Sequence, residues 1–298
     1  MHADEVDTDP SLVQRLVAAQ FPQWAELKVE PVLPRGTDNA NYRLGEHLLA
    51  RLPRRDVNLR GLAKELEWLP RLARLLPLDV PQPVASGEPG EGFPFPWAVY
   101  TWVEGDGATA DSVDAACTAA DLAAFVTALR RVDADGAPRG LRRGALRALD
   151  EPVRAALAKI ADRYDTDALV AVWEAALGAP EWDGPPTWCH CDLDLRNVLF
   201  AGGRPSGVLD FGGAGIGDPA SDDALALKVL PAGARNGFWS AVGADEASIV
   251  RARGWTVFQC AMALSYYTAE NNPALYFECE RWVTELGCGP TRSADPRA

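Results

Sequence analysis

Lysine is scarce in this chain of 298 residues: Lys28, Lys64, Lys159 and Lys228 are the four among 29 basic residues. Work that calls for a cation therefore falls largely to arginine. Basic residues are outnumbered by 42 Asp and Glu, for a net charge of −13. A chain so balanced has no basic patch to neutralise a row of phosphates, which argues against nucleic acid as a partner. The same field would suit a cationic small molecule. Long apolar runs are missing too. None approaches the ~18 residues of a membrane helix, so no membrane partner is expected. The stretch from Met1 to Asp7 is acidic and lacks the apolar core of a secretory signal. The six cysteines lack Cys-x-x-Cys zinc spacing and read as reduced thiols in a cytoplasm. There are no internal repeats. Hydrophobic content of 48% and charged content of 24% suit an ordinary globular protein of one or two domains.

Asp9-Pro10-Ser11 opens a helix, with Asp9 as cap and Pro10 at the first position. From Lys28 to Pro53 short strands are expected, with a polar loop over 34–41 and a hairpin turning at Gly45-Glu46. Leu62, Leu66, Leu69 and Leu72 repeat at helical spacing and predict a helix over 59–76. Strands follow from Pro81 and over 97–103, and Glu104-Gly105-Asp106-Gly107 ends the second. The pattern predicts an α+β chain: a strand-rich unit with a leading helix over 1–103, then a mostly helical unit over 104–287. Helices are expected near 110–133, 143–163, 165–178, 219–230, 246–270 and 272–286, and 288–298 reads as a disordered tail.

The densest chemistry lies between Trp188 and Asp223. Asp192 stands five positions before Asn197 and 18 before Asp210. Val198-Leu199-Phe200 and Gly207-Val208-Leu209 read as strands joined by a turn, so the three polar residues could converge at one end of a hairpin. A carboxylate base beside two oxygen ligands suits phosphoryl transfer from a Mg-nucleotide. In that reading Asp192 is the base, an effect worth roughly 10²–10⁴ in rate, and Asn197 and Asp210 hold Mg²⁺. His190 is expected to organise the loop backbone. Cys189 and Cys191 point away from it, which suits neither a Cys-His-Cys zinc site nor a Cys191 nucleophile with His190 as base. Asp218 reads as a helix N-cap and Asp222 as a first-turn residue, both structural.

His190-x-Asp192-x-x-x-x-Asn197 followed by Asp210-Phe211-Gly212 resembles the catalytic-loop and metal-loop pair of kinases. The continuation Gly217-Asp218-Pro219-Ala220-x-Asp222 resembles, more specifically, the aminoglycoside phosphotransferase family of small-molecule kinases. The resemblance runs from about Pro31 to Tyr267. It implies a two-lobed, protein-kinase-like fold with a small strand-rich N-terminal lobe and a larger, mainly helical C-terminal lobe. It also implies Mg²⁺, ATP or GTP as co-substrate, a small hydroxylated acceptor and a role in antibiotic resistance.

Carried onto this chain, Gly36, Thr37, Asn39 and Asn41 match the family's nucleotide-covering loop. Leu49-x-Arg51 stands where relatives carry a small residue and a lysine, so Arg51 replaces that lysine, with Glu65 as its partner acid. Tyr100, Trp102 and Val103 match the strand that offers backbone groups to a purine. Three residues depart from the pattern: family members often carry Gly at the place of Cys191, His at that of Asp194 and Gly at that of Arg196. Arg196 would either stabilise the transferring phosphoryl group or pair with Asp194. An acceptor pocket would draw on Trp255, Tyr266, Tyr267, Glu270 and Glu278. The alternatives are a kinase of a sugar or amino alcohol, a macrolide kinase using GTP, and a catalytically silent kinase-like binding protein. The oligomeric state is left open.

Overall fold

A computed structural model describes residues 5–33, 36, 38–109, 113–142 and 144–289. The chain divides into two compact units. The first comprises Met1–Asp106, Leu199–Ala201 and Ser206–Gly213; the second comprises Gly107–Val198, Gly202–Pro205 and Ala214–Ala298.

In the first unit α1 (Pro10–Gln20) starts on Asp9, whose Oδ1 accepts from the Leu12 N–H at 2.7 Å. Strands β1 (Val29–Pro31), β2 (Asn39–Leu44) and β3 (Leu48–Pro53) precede α2 (Leu59–Leu72), and β4 (Pro83–Gly87) and β5 (Trp97–Thr101) follow it. They form one antiparallel sheet in the order β1-β2-β3-β5-β4. Alternation sends Ala40, Tyr42 and Leu44 of β2 and Ala50 and Leu52 of β3 into a core with Val13, Leu16, Val17 and Trp97. The expected helix over 59–76 stops at Leu72, two residues past Pro70, and finishes in turns. One buried residue on α2 breaks its apolar pattern: Glu65.

The second unit holds α3 (Ala115–Arg130), α4 (Asp150–Ala158), α5 (Thr166–Gly178), the two-residue strand β6 (Trp188–Cys189), and the β7 (Val198–Ala201) and β8 (Arg204–Val208) hairpin, which it shares with the first unit. After β9 (Gly215–Ile216), paired antiparallel to β6, come α6 (Ala220–Asp223), α7 (Leu225–Val229), α8 (Ala232–Val242), α9 (Glu246–Leu264) and α10 (Pro273–Glu285). Trp173, Trp255 and Trp282 anchor the core.

Several expectations change here. The helix near 143–163 is confined to α4, and the one near 219–230 is two short helices separated at Ala224. Helix α8 is unanticipated. Its two glycines and weak apolar period hide it, and burial of Phe238 with an Arg235–Glu285 ion pair at 2.5 Å holds it in place. Cys288, expected in a disordered tail, is 2% exposed in the core, while 290–298 lie outside the described residues. Among the described residues no helix is long and apolar enough to cross a membrane.

Candidate active site

Arg51 lies on β3, in register with Asn41 on one side and Ala98 on the other. Its Nη1 donates to both Glu65 oxygens at 2.7 and 3.0 Å, and its Nη2 donates to Asp210 Oδ1 at 2.7 Å. The buried acid on α2 is thereby explained. The Tyr100 hydroxyl donates to Glu65 Oε2 at 3.0 Å. The Asn39 amide also faces Arg51. A guanidinium only donates, so the amide oxygen is assigned toward it, 3.0 Å from Nε and 2.8 Å from Nη2. The planar fork addresses Glu65, Asp210 and Asn39 through three separate nitrogens, where a lysine would offer all its donors from one. Burial pulls the Arg51 guanidinium down, but Glu65 and Asp210 outweigh it and leave its pKa raised. Burial pushes the Glu65 carboxyl up against the opposing pull of Arg51.

Asp210 has φ 65, in the left-handed region that favours glycine, and its Oδ2 has no partner among the described residues. A Cβ on Gly61 of α2 would stand 3.2 Å from the Gly212 Cα, so the helix that carries Glu65 and the turn that carries Asp210 touch backbone to backbone. In the loop before β2, a Cβ on Gly36 would meet the Asn39 carbonyl at 2.8 Å, which only glycine avoids. Asn41 Oδ1 is buried without a partner among the described residues. Thr37 lies outside them.

Leu49 and Tyr100 are registered against each other, and Tyr100 faces Pro83 on its other side. Tyr100 thus sits inside the sheet with its hydroxyl on Glu65. The Trp102 N–H donates to the His47 carbonyl at 2.8 Å. The Val103 N–H, just past the strand, makes no backbone hydrogen bond among the described residues.

In the second unit β6 leads into the loop that carries Asp192. Asp222 of α6 caps this loop from behind: its Oδ2 accepts from the His190 N–H at 2.7 Å and its Oδ1 from the Cys191 N–H at 2.8 Å. The His190 ring accepts from the Asp192 N–H at 3.4 Å, in keeping with a loop organiser. Cys191 has φ 70, which explains why relatives favour glycine there. Asp218 accepts from the Ala220 N–H and pairs with Arg251 at 2.9 Å, joining the start of α6 to α9.

Asp192 is held through Oδ1 and its backbone. Its Oδ1 accepts from Gln259 Nε2 at 3.0 Å, with Arg142 Nη2 at 3.5 Å. Its carbonyl accepts from Asn197 Nδ2 at 2.8 Å, and among the described residues its Oδ2 has only that same nitrogen, at 3.4 Å. Burial pushes the Asp192 carboxyl up, but the fields of Arg196, Arg142, Lys228 and His190 outweigh it and hold it below the usual carboxylate range. At neutral pH it is ionised. Arg196 donates to Asp194 through Nε at 3.1 Å and Nη2 at 2.5 Å, the pairing expected from the sequence.

The acceptor candidates divide. Trp255 is 2% exposed and donates to Asp218, so it belongs to the core. Glu278 pairs with Arg281, while Tyr266 is exposed. Three neighbours of Asp192 have no motif to mark them: Arg142, Gln259 and Lys228. Only Lys228 left a sequence signal, a lone cation in the apolar run Leu225-Ala226-Leu227-Lys228-Val229-Leu230.

The chain matches the profile of the phosphotransferase enzyme family, APH, over residues 30–256. It belongs to that family. Among solved structures, this phosphotransferase superposes on aminoglycoside 2'-phosphotransferase-IIIa with GDP at a TM-score of 0.71 and 20% identity, over 94% of this chain and 99% of that one. For the GDP and kanamycin complex of an APH(2")-type enzyme the TM-score is 0.68 at 21% identity, over 92% and 95%. For macrolide 2'-phosphotransferase MphH of Brachybacterium faecium it is 0.60 at 23%, over 91% and 97%. No curated protein matches the chain. The likeness shows the expected kinase-like α+β fold.

Proposed function

We propose that this phosphotransferase moves the γ-phosphoryl group of ATP or GTP to a hydroxyl of a small molecule, most favourably an aminoglycoside-type or other antibiotic, with Mg²⁺. The observation that carries the reading is the Arg51 fork, which joins Glu65 and Asp210 at 2.7 Å each. A buried acid that aims a cation, beside a carboxylate with one open oxygen, is the arrangement that phosphate and metal need. The donor chemistry fits magnesium. Asp210 offers Oδ2, and Asn197, with Nδ2 bound to Asp192, keeps its Oδ1 as a hard oxygen ligand. Bound by these two residues, the ion would neutralise charge on the β- and γ-phosphates.

The chain's own residues do the rest. Arg51 binds nucleotide phosphate, and the backbone at Gly36 to Asn41 covers it. Asp192 orients the acceptor hydroxyl and takes its proton. The hydroxyl oxygen bonds to the γ-phosphorus while the bond from that phosphorus to the bridging oxygen breaks, and the nucleoside diphosphate leaves with the electron pair. Arg196, whose Nη1 is not committed to Asp194, would face the transferring oxygens. Similar structures include a kanamycin complex and a macrolide 2'-phosphotransferase, and the net charge of −13 suits a cationic acceptor.

A screen of antibiotics, sugars and amino alcohols with Mg-ATP and Mg-GTP tests this, read by mass spectrometry. The expected result is a gain of one phosphoryl group on at least one acceptor, lost in Asp192→Asn. Nucleotide binding with no transfer to any acceptor or to water would leave a silent binder instead.

A further inference from the structure

Lys228 is the most unusual polar residue of the second unit. It is 1% exposed, sits on α7 among buried Leu227 and Val229, and has its Nζ 5.3 Å from the centre of the Trp282 ring. A buried lysine is a poor stabiliser, since an apolar side chain of similar volume holds such a site as well or better. Its partners suggest another use. The ammonium donates to Gln259 Oε1 at 2.6 Å, with the Leu193 carbonyl at 3.5 Å. Gln259, on α9, then donates from Nε2 to Asp192 Oδ1 at 3.0 Å.

The direction of this chain is fixed by chemistry. A glutamine amide can present either end, but an ammonium has only donors. Lys228 therefore forces the carbonyl end of Gln259 toward itself and the NH₂ end toward Asp192. Arg142 adds a weaker donor to the same Oδ1 at 3.5 Å. The other oxygen, Oδ2, is left with one long contact, 3.4 Å from Asn197 Nδ2.

We propose that Gln259, oriented by Lys228, is a positioning residue that occupies Oδ1 of Asp192 and so reserves Oδ2 for the proton of the acceptor hydroxyl. The inference rests on the reading of Asp192 as base. A carboxylate with two equivalent oxygens can turn about its Cβ–Cγ bond and present either one. With Oδ1 occupied the group has one orientation, and the attacking oxygen has one place to sit. Burial pulls the Lys228 ammonium down to about 8 and Arg142 acts in the same sense, while Asp194 and Asp192 oppose them, so the lysine is still mostly charged at neutral pH. Other charged or titratable groups near Asp192 are Asp194, Arg196 and His190 in its own loop and Asp222 behind that loop.

The test uses the full chain and slow hydrolysis of Mg-ATP and Mg-GTP, with water as the acceptor that must lose its proton. Gln259→Leu keeps the volume and removes the donor. The expected result is a kcat lowered about tenfold at an unchanged nucleotide KM. Lys228→Met should lower kcat in the same way, again at an unchanged KM. A wild-type kcat in Gln259→Leu, with hydrolysis abolished in Asp192→Asn, would overturn the inference and leave the base in place. Full hydrolysis by Asp192→Asn would overturn the base itself. A raised KM at constant kcat would make Gln259 a binding residue and also overturn the inference.

Discussion

Of the residues that stand where relatives carry something else, Arg51 and Cys191 are the two whose surroundings the structure makes physically plain. Arg51 replaces a lysine and reaches Glu65, Asp210 and Asn39 at once. Arg51→Ala would leave Glu65 buried without its cation, with the Tyr100 hydroxyl still on it, a cost of about 3–5 kcal/mol for such a site. Calorimetry should show weaker nucleotide binding together with a lower melting temperature. Arg51→Lys should keep the fold and recover only part of the affinity, because a point charge replaces a fork. Wild-type affinity in both variants would detach Arg51 from the nucleotide. Cys191 occupies a left-handed position at φ 70. Glycine there relieves about 1 kcal/mol of backbone strain and forfeits a comparable amount of burial. Cys191→Gly should therefore melt near wild type and above Cys191→Ala, which keeps the strain and loses the sulfur. An alanine variant that melts higher than the glycine variant would contradict the strain argument.

At the scale of elements, α6 acts as a clamp. Asp222 takes two backbone N–H groups of the loop that carries Asp192. Asp222→Ala should cost roughly 2–5 kcal/mol and reduce turnover, and Asp222→Asn should do little better because its NH₂ end would face an N–H. Equal melting of wild type and Asp222→Ala would show that water replaces the carboxylate. Much of this scaffold was legible in the sequence. The cap at Asp9, the hairpin of β2 and β3, and the motif around Asp192 are local signals, readable one window at a time. The neighbours of Asp192 were not legible. Gln259 lies 67 positions away and Arg142 lies 50, each on an element whose own pattern says nothing of a distant carboxylate. Helix α8 was missed for the converse reason: its sequence is a poor helix locally and is held by contacts made elsewhere.

The second unit as a whole carries two pH dependences of the same sign in separate ranges, each with stability rising as pH rises. Lys228 has a folded pKa of about 8 against an ordinary 10.5. Below pH 8 the charge is present in both states and folding bears its full burial cost. Between 8 and 10.5 the unfolded chain holds a proton that the folded one has released, so stability rises with pH, by on the order of 1 kcal/mol per unit at most. Asp192, held below the usual carboxylate range, adds stability above that range and loses it as pH falls through its lowered value. Denaturant titrations from pH 7 to 10.5 should show the first trend, and Lys228→Met should flatten it. A slope that persists in Lys228→Met would place the titrating group elsewhere.

The contact of Gly61 with Gly212 has a consequence for heredity. Every glycine codon is one base change from an alanine codon, so a single point mutation brings a methyl carbon to 3.2 Å from the Gly212 Cα when it falls at Gly61, or to 3.4 Å from the Gly61 Cα when it falls at Gly212. The added carbon touches neither Arg51 nor any phosphate. It pushes the helix that aims the cation away from the turn that presents the carboxylate. In a population under selection, such alleles should be lost as often as changes to the acids themselves.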